Sequence, residues 1–174
     1  MKKYGKRWSQ PRERYESKCS ARPIPTSMLN SRKRGLKIFV DSSVFFAAVL
    51  SPSGGSFRIF LEARERGIVL CVTLYVVSEV GDGLQKKYPE KIKDFRSFFL
   101  HFPIQIVQNP PNQATKKFSN LLPAEDAPIL AGAVATRATH LLTLDKKHFL
   151  GPLKNIKLPV QVLTPGDFIQ NYFV

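Results

Sequence analysis

The sequence of 174 residues is poor in cysteine and in acidic residues, and it contains no long apolar run. Its two cysteines, Cys19 and Cys71, are too few for a disulfide framework and too far from other sulfur or imidazole ligands for a zinc pattern, so we expect unreactive thiols in a reducing compartment. No stretch approaches the ~20 apolar residues that cross a bilayer, and residues 1–35 lack the apolar segment of a secretory signal. We therefore expect a cytoplasmic protein without membrane contact, built around one domain.

Acidic residues are half as frequent as basic ones. The 27 Lys and Arg against 13 Asp and Glu give a net charge of +14, which favours a polyanionic partner, with nucleic acid before membrane. Residues 1–35 hold 11 basic and two acidic residues, so +9 of this charge lies there. Because this segment has three prolines and no apolar periodicity, we predict a mobile basic extension. It fits a nucleic-acid-binding arm, a solvated tail, a start codon placed too early or an organelle transit peptide.

From Leu36 onward, short apolar runs alternate with amphipathic stretches, a pattern typical of strands alternating with helices. The predicted strands are 36–40, 68–72, 104–107, 140–144 and 160–163. The predicted helices are 42–50, 55–67, 73–88, 89–102, 113–120, 124–138 and 165–172. Because near-continuous apolar strands are those covered on both faces, we predict an α/β domain over residues 36–174, with three α/β/α layers and a central, mostly parallel five-stranded sheet.

Two aspartates directly follow predicted strands. Asp41 comes after LKIFV and Asp145 after HLLTL. The carboxyl ends of parallel strands meet at one edge of a sheet, where ligands bind, so both side chains are expected at one site. Each also has an ordinary structural explanation: Asp41 as the N-cap of the following helix, and Asp145 as the first residue of a turn.

Two further acids lie on predicted helices. Asp126 falls in the first turn of the helix from 124, with Glu125 and Pro128, and points to the same sheet edge, although the helix dipole alone favours a carboxylate there. Glu79 lies roughly opposite the apolar stripe of its helix, where a solvated face explains it. That stripe is Leu74, Val77, Val80 and Leu84.

A hard divalent cation would explain why several carboxylates converge. Two ionised carboxylates about 4 Å apart repel each other by ~4 kcal/mol at an effective dielectric constant of 20, so such a group binds protons or a cation. Mg²⁺ and Mn²⁺ prefer oxygen ligands and can activate water for attack on a phosphodiester, for which the basic surface would supply the substrate.

Four segments resemble the PIN-domain ribonuclease family, over about residues 36–170. They are IFVDSSVFFAAVL with Asp41, Ser42 and Ser43; VTLYVVSEVGDGL with Glu79; EDAPILAGAVA with Asp126; and HLLTLDKKHF with Thr143 and Asp145. The family most often has Asn where Ser43 stands. The resemblance is strongest to the toxin nucleases of toxin–antitoxin pairs.

The resemblance implies a metal-dependent endoribonuclease with Asp41, Glu79, Asp126 and Asp145 around Mg²⁺ or Mn²⁺. It also implies an antitoxin protein as partner and a homodimer. Ser42 and Thr143 are candidate hydrogen-bond donors that orient the carboxylates. Glu125 can replace Asp126 by a one-residue shift, and Asp82 can replace Glu79. The alternatives are a non-catalytic, basic RNA-binding protein of the same fold and a housekeeping RNA-processing nuclease.

The remaining candidates have simpler explanations. We interpret His140 and His148 as surface histidines, since neither has an identifiable catalytic partner in the sequence. A basic run, comprising Lys86, Lys87, Lys91, Lys93 and Arg96, fits either an RNA path or a solvated helix face. Phenylalanines at helical spacing, Phe95, Phe98 and Phe99, fit a core or a dimer surface.

Overall fold

The computed structural model describes residues 36–173, and the basic extension predicted for residues 1–35 lies outside the described residues. The strands are β1 (Lys37–Val40), β2 (Val69–Thr73), β3 (Ile104–Val107), β4 (His140–Leu142) and β5 (Gln161–Leu163). The helices are α1 (Ser42–Leu50), α2 (Gly55–Arg66), α3 (Leu74–Lys87), α4 (Ile92–His101), α5 (Asn112–Lys116), α6 (Ala127–Ala135) and α7 (Pro165–Tyr172). A short 3-10 turn (Pro89–Lys91) precedes α4, and a π turn (Lys146–Leu150) follows β4.

The five strands form one sheet in the order β3-β2-β1-β4-β5. Every neighbouring pair is parallel, so the sheet is wholly parallel where a mostly parallel one was predicted. The central strands are buried on both faces because helices cover both sides, as continuous apolar runs predict. All five strand predictions are confirmed, although the predicted strand 140–144 ends at Leu142.

The register between β1 and β4 places two polar residues side by side. Val40 pairs with Leu142, and the N–H of Asp41 donates to the Leu142 carbonyl at 3.0 Å. Asp41 and Thr143 therefore stand at the same level, one residue beyond the paired strands. This arrangement brings the residues after β4 to the residues after β1.

Phenylalanines hold the helices of one face together. The Phe45 ring of α1 lies 5.2 Å from the rings of Phe60 and Phe95, measured between centroids, and 5.4 Å from that of Phe98. Aromatic pairs at such tilted and edge-on angles bury large apolar areas and gain about 0.5–1.5 kcal/mol each beyond that burial. Phe95 and Phe98 belong to the core, as one of the two interpretations predicts.

The prediction of a helix over 124–138 was wrong at its start. Residues 124–126 form a turn in which the Pro123 carbonyl accepts hydrogen bonds from the N–H groups of Asp126 and Ala127, and α6 begins at Ala127. A helix starting at residue 124 would need an N–H at position 128 to bond to the carbonyl of 124, and Pro128 has none. Asp126 therefore precedes α6 as its N-cap residue instead of lying in its first turn.

Two other helix predictions also differ from the structure. The helix predicted over 113–120 is limited to α5, and residues 117–122 continue as turns. The helix predicted over 89–102 begins as the 3-10 turn at Pro89. The buried stripe of α3 is Val76, Val80 and Leu84, whereas Leu74 is 40% exposed.

None of the helices between residues 36 and 173 is long and apolar enough to cross a membrane by itself, and the pair α1 and α2 meets that length and composition only jointly, across a 95° bend.

Candidate metal centre

Asp41 is a buried carboxylate held by hydroxyl groups. It is 4% exposed, and its Oδ2 accepts hydrogen bonds from the hydroxyls of Ser43 at 2.6 Å and Thr143 at 2.7 Å. Its Oδ1 accepts one from the Ser42 hydroxyl at 3.1 Å. Asp41 makes no side-chain cap hydrogen bond to α1, so N-capping does not explain it. Because each carboxylate oxygen has two acceptor positions, the free capacity of this carboxylate lies on Oδ1.

Two of these hydroxyls also connect Asp41 to the segment after β4. Thr143 accepts a hydrogen bond from the backbone N–H of Asp145 at 3.0 Å, and Ser43 accepts one from the N–H of Leu144 at 3.1 Å. Each hydroxyl thus accepts from one backbone and donates to Asp41. The two bridges fix the position of Asp145 relative to Asp41, although the two aspartates lie far apart in the sequence.

The two oxygens of Asp145 have different environments. Oδ1 accepts from the backbone N–H groups of Lys147 at 2.8 Å and His148 at 2.9 Å, so it opens the π turn as predicted from the sequence. Oδ2 lies 2.9 Å from Nδ1 of the His148 ring. Burial alone would raise the pKa of Asp145, but the two backbone hydrogen bonds and the His148 imidazole outweigh it and lower this pKa.

Asp126 reaches the same place from the other side. Its Oδ2 lies 3.1 Å from Nδ1 of His148, and this oxygen is buried without a hydrogen-bond donor among residues 36–173. Burial raises the pKa of Asp126, the His148 imidazole opposes that shift, and the negative charges of Asp145, Asp41 and Glu125 add to it. The structure therefore brings Asp41, Asp126 and Asp145 into one electrostatic neighbourhood.

Glu79 lies at the margin of this group. It is exposed on α3, one helical turn after Tyr75, whose own position is fixed by a 2.7 Å hydrogen bond from its backbone N–H to Oδ1 of Asn109. Burial raises the pKa of the Tyr75 phenol, and the charges of Glu79, Asp126, Glu125 and Asp41 raise it further. The Tyr75 phenol is therefore within electrostatic reach of both Glu79 and the acids around Asp126.

Two site residues escaped the sequence analysis. His148 was interpreted as a surface histidine, which was wrong: its side chain is 31% exposed and lies between two carboxylates. Its spacing of three residues after Asp145 was the available signal, because a π or helical turn brings such residues together. Ser43 was quoted in the motif but not as a donor, although it makes the shortest hydrogen bond to Asp41.

His140 was also wrongly interpreted as a surface histidine. It is 5% exposed, and its ring nitrogens lie 2.9 Å from the hydroxyls of Thr139 and Tyr172. Burial lowers the pKa of His140. It stands at the start of β4, at the other end of the strand from Asp145, and therefore belongs to the packing of α7.

Basic side chains divide into a group beside the acids and a group far from them. Lys146 and Lys147 directly follow Asp145 and are exposed. Lys86 and Lys87 are also exposed, but they end α3, whose 14 residues span about 20 Å from the sheet edge where Asp41 lies. Lys86 and Lys87 thus lie at the far end of α3 from the acids, and whether the basic run is an RNA path or a solvated helix face stays a prediction.

The donor set fits a divalent cation. Asp126, Asp145 and His148 each offer one ligand atom within 4.8 Å of the others. The buried Oδ2 of Asp126 has a negative charge without a donor among residues 36–173, an arrangement that a bound cation stabilises. Asp126, Asp145 and His148 are thus the residues whose atoms are close enough to hold one metal, and Asp41, outside this group of three, retains acceptor capacity on Oδ1.

Several solved structures with this architecture come from toxin–antitoxin systems. A chain of the Rickettsia felis VapBC2 complex, solved with a DNA fragment from its promoter, has 16% identity and a TM-score of 0.56 and covers 74% of this chain and 98% of its own. A chain of a Klebsiella pneumoniae toxin–antitoxin complex has 20% identity and a TM-score of 0.54 over the same shares. The chain has the PIN-domain fold.

A third similar structure is that of a toxin whose cleavage target is named. VapC20 of Mycobacterium tuberculosis, a sarcin-ricin loop cleaving toxin, is 14% identical with a TM-score of 0.50, covering 64% of this chain and 92% of its own. Neither a protein-family model nor a curated protein matches this chain in sequence. At these identities the likeness concerns the PIN fold, and the chemistry must be argued from the site.

Proposed function

We propose that this PIN-fold protein is a divalent-metal-dependent endoribonuclease and the toxin of a toxin–antitoxin pair. The observation that carries the proposal is the convergence of Asp41, Asp126 and Asp145 at the carboxyl edge of the sheet, with a hydroxyl bridge between Asp41 and the backbone of Asp145. Such a group of acids is costly unless a cation neutralises it. The fold shared with a toxin described as cleaving the sarcin-ricin loop supports RNA as the substrate.

Each residue then has a definite role. Mg²⁺ or Mn²⁺ held by these acids would polarise a phosphodiester and activate a water for in-line attack. Asp41 is oriented by three hydroxyls: Ser43 and Thr143 use the acceptor capacity of Oδ2, and Ser42 donates to Oδ1, which keeps capacity for a ligand.

Two neighbours of the acids would serve the substrate. The raised pKa of Tyr75 keeps its phenol protonated at neutral pH, so it can donate a hydrogen bond to a phosphate oxygen. Lys146 and Lys147 supply positive charge beside the acids, where a phosphate backbone must pass. Glu79 would complete the acidic group from α3, through water.

The partners follow from the same proposal. Leu74, directly after β2, and Leu144, next to Asp145, are 40% and 43% exposed, which suits cover by an antitoxin segment. Complexes of the similar folds with antitoxins support this assignment. We further propose a homodimer acting in the cytoplasm, with the nuclease domain over residues 36–174 and residues 1–35 adding affinity for RNA.

RNA cleavage by the purified full chain tests the activity. Labelled RNA is incubated with Mg²⁺, with Mn²⁺ and with EDTA, and the products are resolved by size. We expect cleavage with either metal, none with EDTA, and a loss of at least about 100-fold in Asp41→Asn. Cleavage that survives both EDTA and the substitution would remove the metal-dependent nuclease.

A matched pair of variants on α3 tests the fourth acid. Glu79→Gln is expected to slow cleavage, whereas Asp82→Asn, an exposed acid on the same helix without a link to Tyr75, is expected to leave it unchanged. Equal effects would remove Glu79 from the site. Binding of RNA without cleavage in every condition would instead favour the non-catalytic RNA-binding protein.

Growth separates a toxin from a housekeeping nuclease. Induced expression of the wild type is expected to arrest growth, whereas Asp41→Asn does not, and co-expression of a small partner encoded beside it restores growth. Arrest that no adjacent reading frame relieves, together with cleavage confined to a precursor RNA, would favour the processing nuclease.

A further inference from the structure

Asp126, Asp145 and His148 form a compact group of one imidazole and two carboxylates. The three side chains come from different local structures: the turn before α6, the end of the loop after β4, and the π turn. Nδ1 of His148 lies 2.9 Å from Oδ2 of Asp145 and 3.1 Å from Oδ2 of Asp126. Oxygen and nitrogen donors from three places therefore share one small volume.

Hydrogen bonding alone does not satisfy this group. Nδ1 carries at most one hydrogen and can donate to one of the two carboxylates. Oδ2 of Asp126 is buried and accepts no hydrogen bond from residues 36–173, despite its 3.1 Å distance from the ring. A cation ligated by all three atoms would satisfy both oxygens and the nitrogen lone pair together.

The observed spacing is compatible with ligands around one metal. Adjacent ligands in an octahedral site with metal–ligand distances of 2.0–2.1 Å lie about 2.8–3.0 Å apart. The two nitrogen–oxygen distances, 2.9 and 3.1 Å, lie within about 0.1 Å of this range, which hydrogen bonds also share.

The ring of His148 is held in position by its own turn. Its backbone N–H donates to Oδ1 of Asp145 at 2.9 Å, and the next residue, Phe149, is 1% exposed and anchors the turn in the core. The backbone that carries the His148 ring is thus fixed beside Asp145 before a ligand binds.

We propose that His148 ligates the catalytic metal through Nδ1, beside Asp126 and Asp145, and that the site therefore prefers Mn²⁺ to Mg²⁺. This inference rests on the proposed metal-dependent function and extends it to the ligand set. Imidazole binds first-row transition metals, of which Mn²⁺ is the weakest binder, but it is a still poorer ligand for Mg²⁺, which prefers oxygen and keeps its waters. The nitrogen donor adds affinity for Mn²⁺ that an all-carboxylate site lacks.

Electron spin-echo spectroscopy of bound Mn²⁺ tests the ligation without using activity. The untagged full chain contains three histidines, His101, His140 and His148, so a nitrogen signal has few possible sources. We expect modulation from a directly bound nitrogen in the wild type, its loss in His148→Asn, and its persistence in His101→Asn. Mn²⁺ bound without nitrogen modulation, or modulation that survives His148→Asn, would overturn the proposal.

Metal competition tests the preference. Calorimetric titration is expected to show Mn²⁺ binding at least about ten times more tightly than Mg²⁺ in the wild type. His148→Asn should lower the Mn²⁺ affinity about 10–100-fold while the Mg²⁺ affinity changes little. Equal losses for both metals would contradict a specific nitrogen contribution.

These readouts separate the two proposals. RNA cleavage that requires metal, combined with an absent nitrogen signal, refutes the His148 ligand and keeps the nuclease. A nitrogen-ligated Mn²⁺ without any RNA cleavage refutes the nuclease and keeps the ligand.

Discussion

Asp41 and Asp126 are two carboxylates of one site in opposite chemical situations. Asp41 is 4% exposed and accepts three hydroxyl hydrogen bonds, two of them at 2.7 Å or less. Asp126 is 18% exposed, and its Oδ2 is buried without a donor, facing the His148 ring. The protein supplies the partners of Asp41 and leaves those of Asp126 to a ligand.

This difference assigns different roles to the two sides of the site. The Asp41 side belongs to the scaffold, because its hydroxyls also bind the backbone of Leu144 and Asp145 and join the ends of β1 and β4. On the side of Asp126 and His148, a buried carboxylate oxygen has no hydrogen-bond donor among residues 36–173. Its negative charge favours the binding of a cation and destabilises the fold when no metal is bound. The following experiments exploit this contrast.

The largest expected effect is a loss of catalysis, which two substitutions share although they change stability in opposite directions. Asp41→Asn and Asp126→Asn should each lower RNA cleavage at least about 100-fold. In EDTA, however, Asp41→Asn should lower the free energy of unfolding by about 1–3 kcal/mol because hydroxyl donors lose their acceptor. Asp126→Asn should raise it, because a neutral amide replaces a buried charge. Denaturant unfolding and cleavage assays on the same preparations measure both quantities.

The pH dependence sharpens the stability contrast. The pKa of Asp126 is raised in the fold above its ordinary value of 3.8, so its favourable contribution is present below that pH and is lost as the pH rises through the folded-state pKa. The stability advantage of Asp126→Asn should therefore widen as the pH rises above about 4. An advantage that shrinks over this range would contradict the burial of an uncompensated charge.

The next largest effect concerns the hydroxyl bridge. Thr143→Val removes the donor to Asp41 and the acceptor of the Asp145 N–H, which should cost about 1–3 kcal/mol of unfolding free energy and slow cleavage about 10–100-fold. Thr143→Ser keeps the hydroxyl and serves as the matched control, with cleavage close to wild type. Urea unfolding and cleavage rates measure the two effects, and equal rates for Val and Ser would exclude a role for the bridge.

A packing substitution outside the site should have a moderate effect. A Cβ on Gly132 of α6 would lie 2.9 Å from Cγ2 of Thr73 and 3.0 Å from Cζ of Phe39, so Gly132→Ala pushes α6 and the preceding Asp126 away from the sheet. We expect a loss of about 1–3 kcal/mol in the free energy of unfolding, together with slower cleavage.

Gly81→Ala provides the control for that substitution. Its Cβ would meet Cε1 of Phe95 at 3.6 Å, an ordinary contact, and replacing a helical glycine should add about 0.5–1 kcal/mol. Thermal melts of both variants test the expectation. Destabilisation of equal size in both variants would show that α6 does not pack more closely against the sheet at Gly132 than α3 packs at Gly81.

The smallest expected effect is at the far end of β4. Because burial lowers the pKa of His140 below its ordinary 6.5, its stabilising contribution is present above that pH and is lost as the pH falls through the folded-state pKa. His140→Gln should reduce the acid sensitivity of unfolding between about pH 7 and 5. Identical slopes in the wild type and His140→Gln would contradict a buried neutral imidazole.

The strands and the positions of Asp41 and Asp145 were predictable because they depend on local pattern. A continuous apolar run that ends in an aspartate specifies both the strand and the sheet edge at which the carboxylate lies. The start of α6 was mispredicted although Pro128 contained the information, since a proline restricts where the helix can begin. The roles of the four acids remain predictions that the experiments above must decide.

The contact of His148 with Asp126 and that of Ser43 with Leu144 could not be predicted, because they depend on tertiary register. Ser43 reaches the N–H of Leu144 only because β1 and β4 are adjacent, 101 residues apart in sequence. His148 meets Asp126 only because the π turn and the start of α6 converge. Periodicity and spacing carry no information on such distances.

Thermal unfolding with and without Mn²⁺ tests the central claim most directly. A ligand that binds the folded state alone raises its stability by mass action, about 2.7 kcal/mol at a concentration 100 times the dissociation constant. We expect Mn²⁺ to raise the melting temperature of the wild type and to leave that of Asp126→Asn where EDTA leaves it. An unchanged wild type, or an equal rise in both proteins, would contradict a cation site built from these acids.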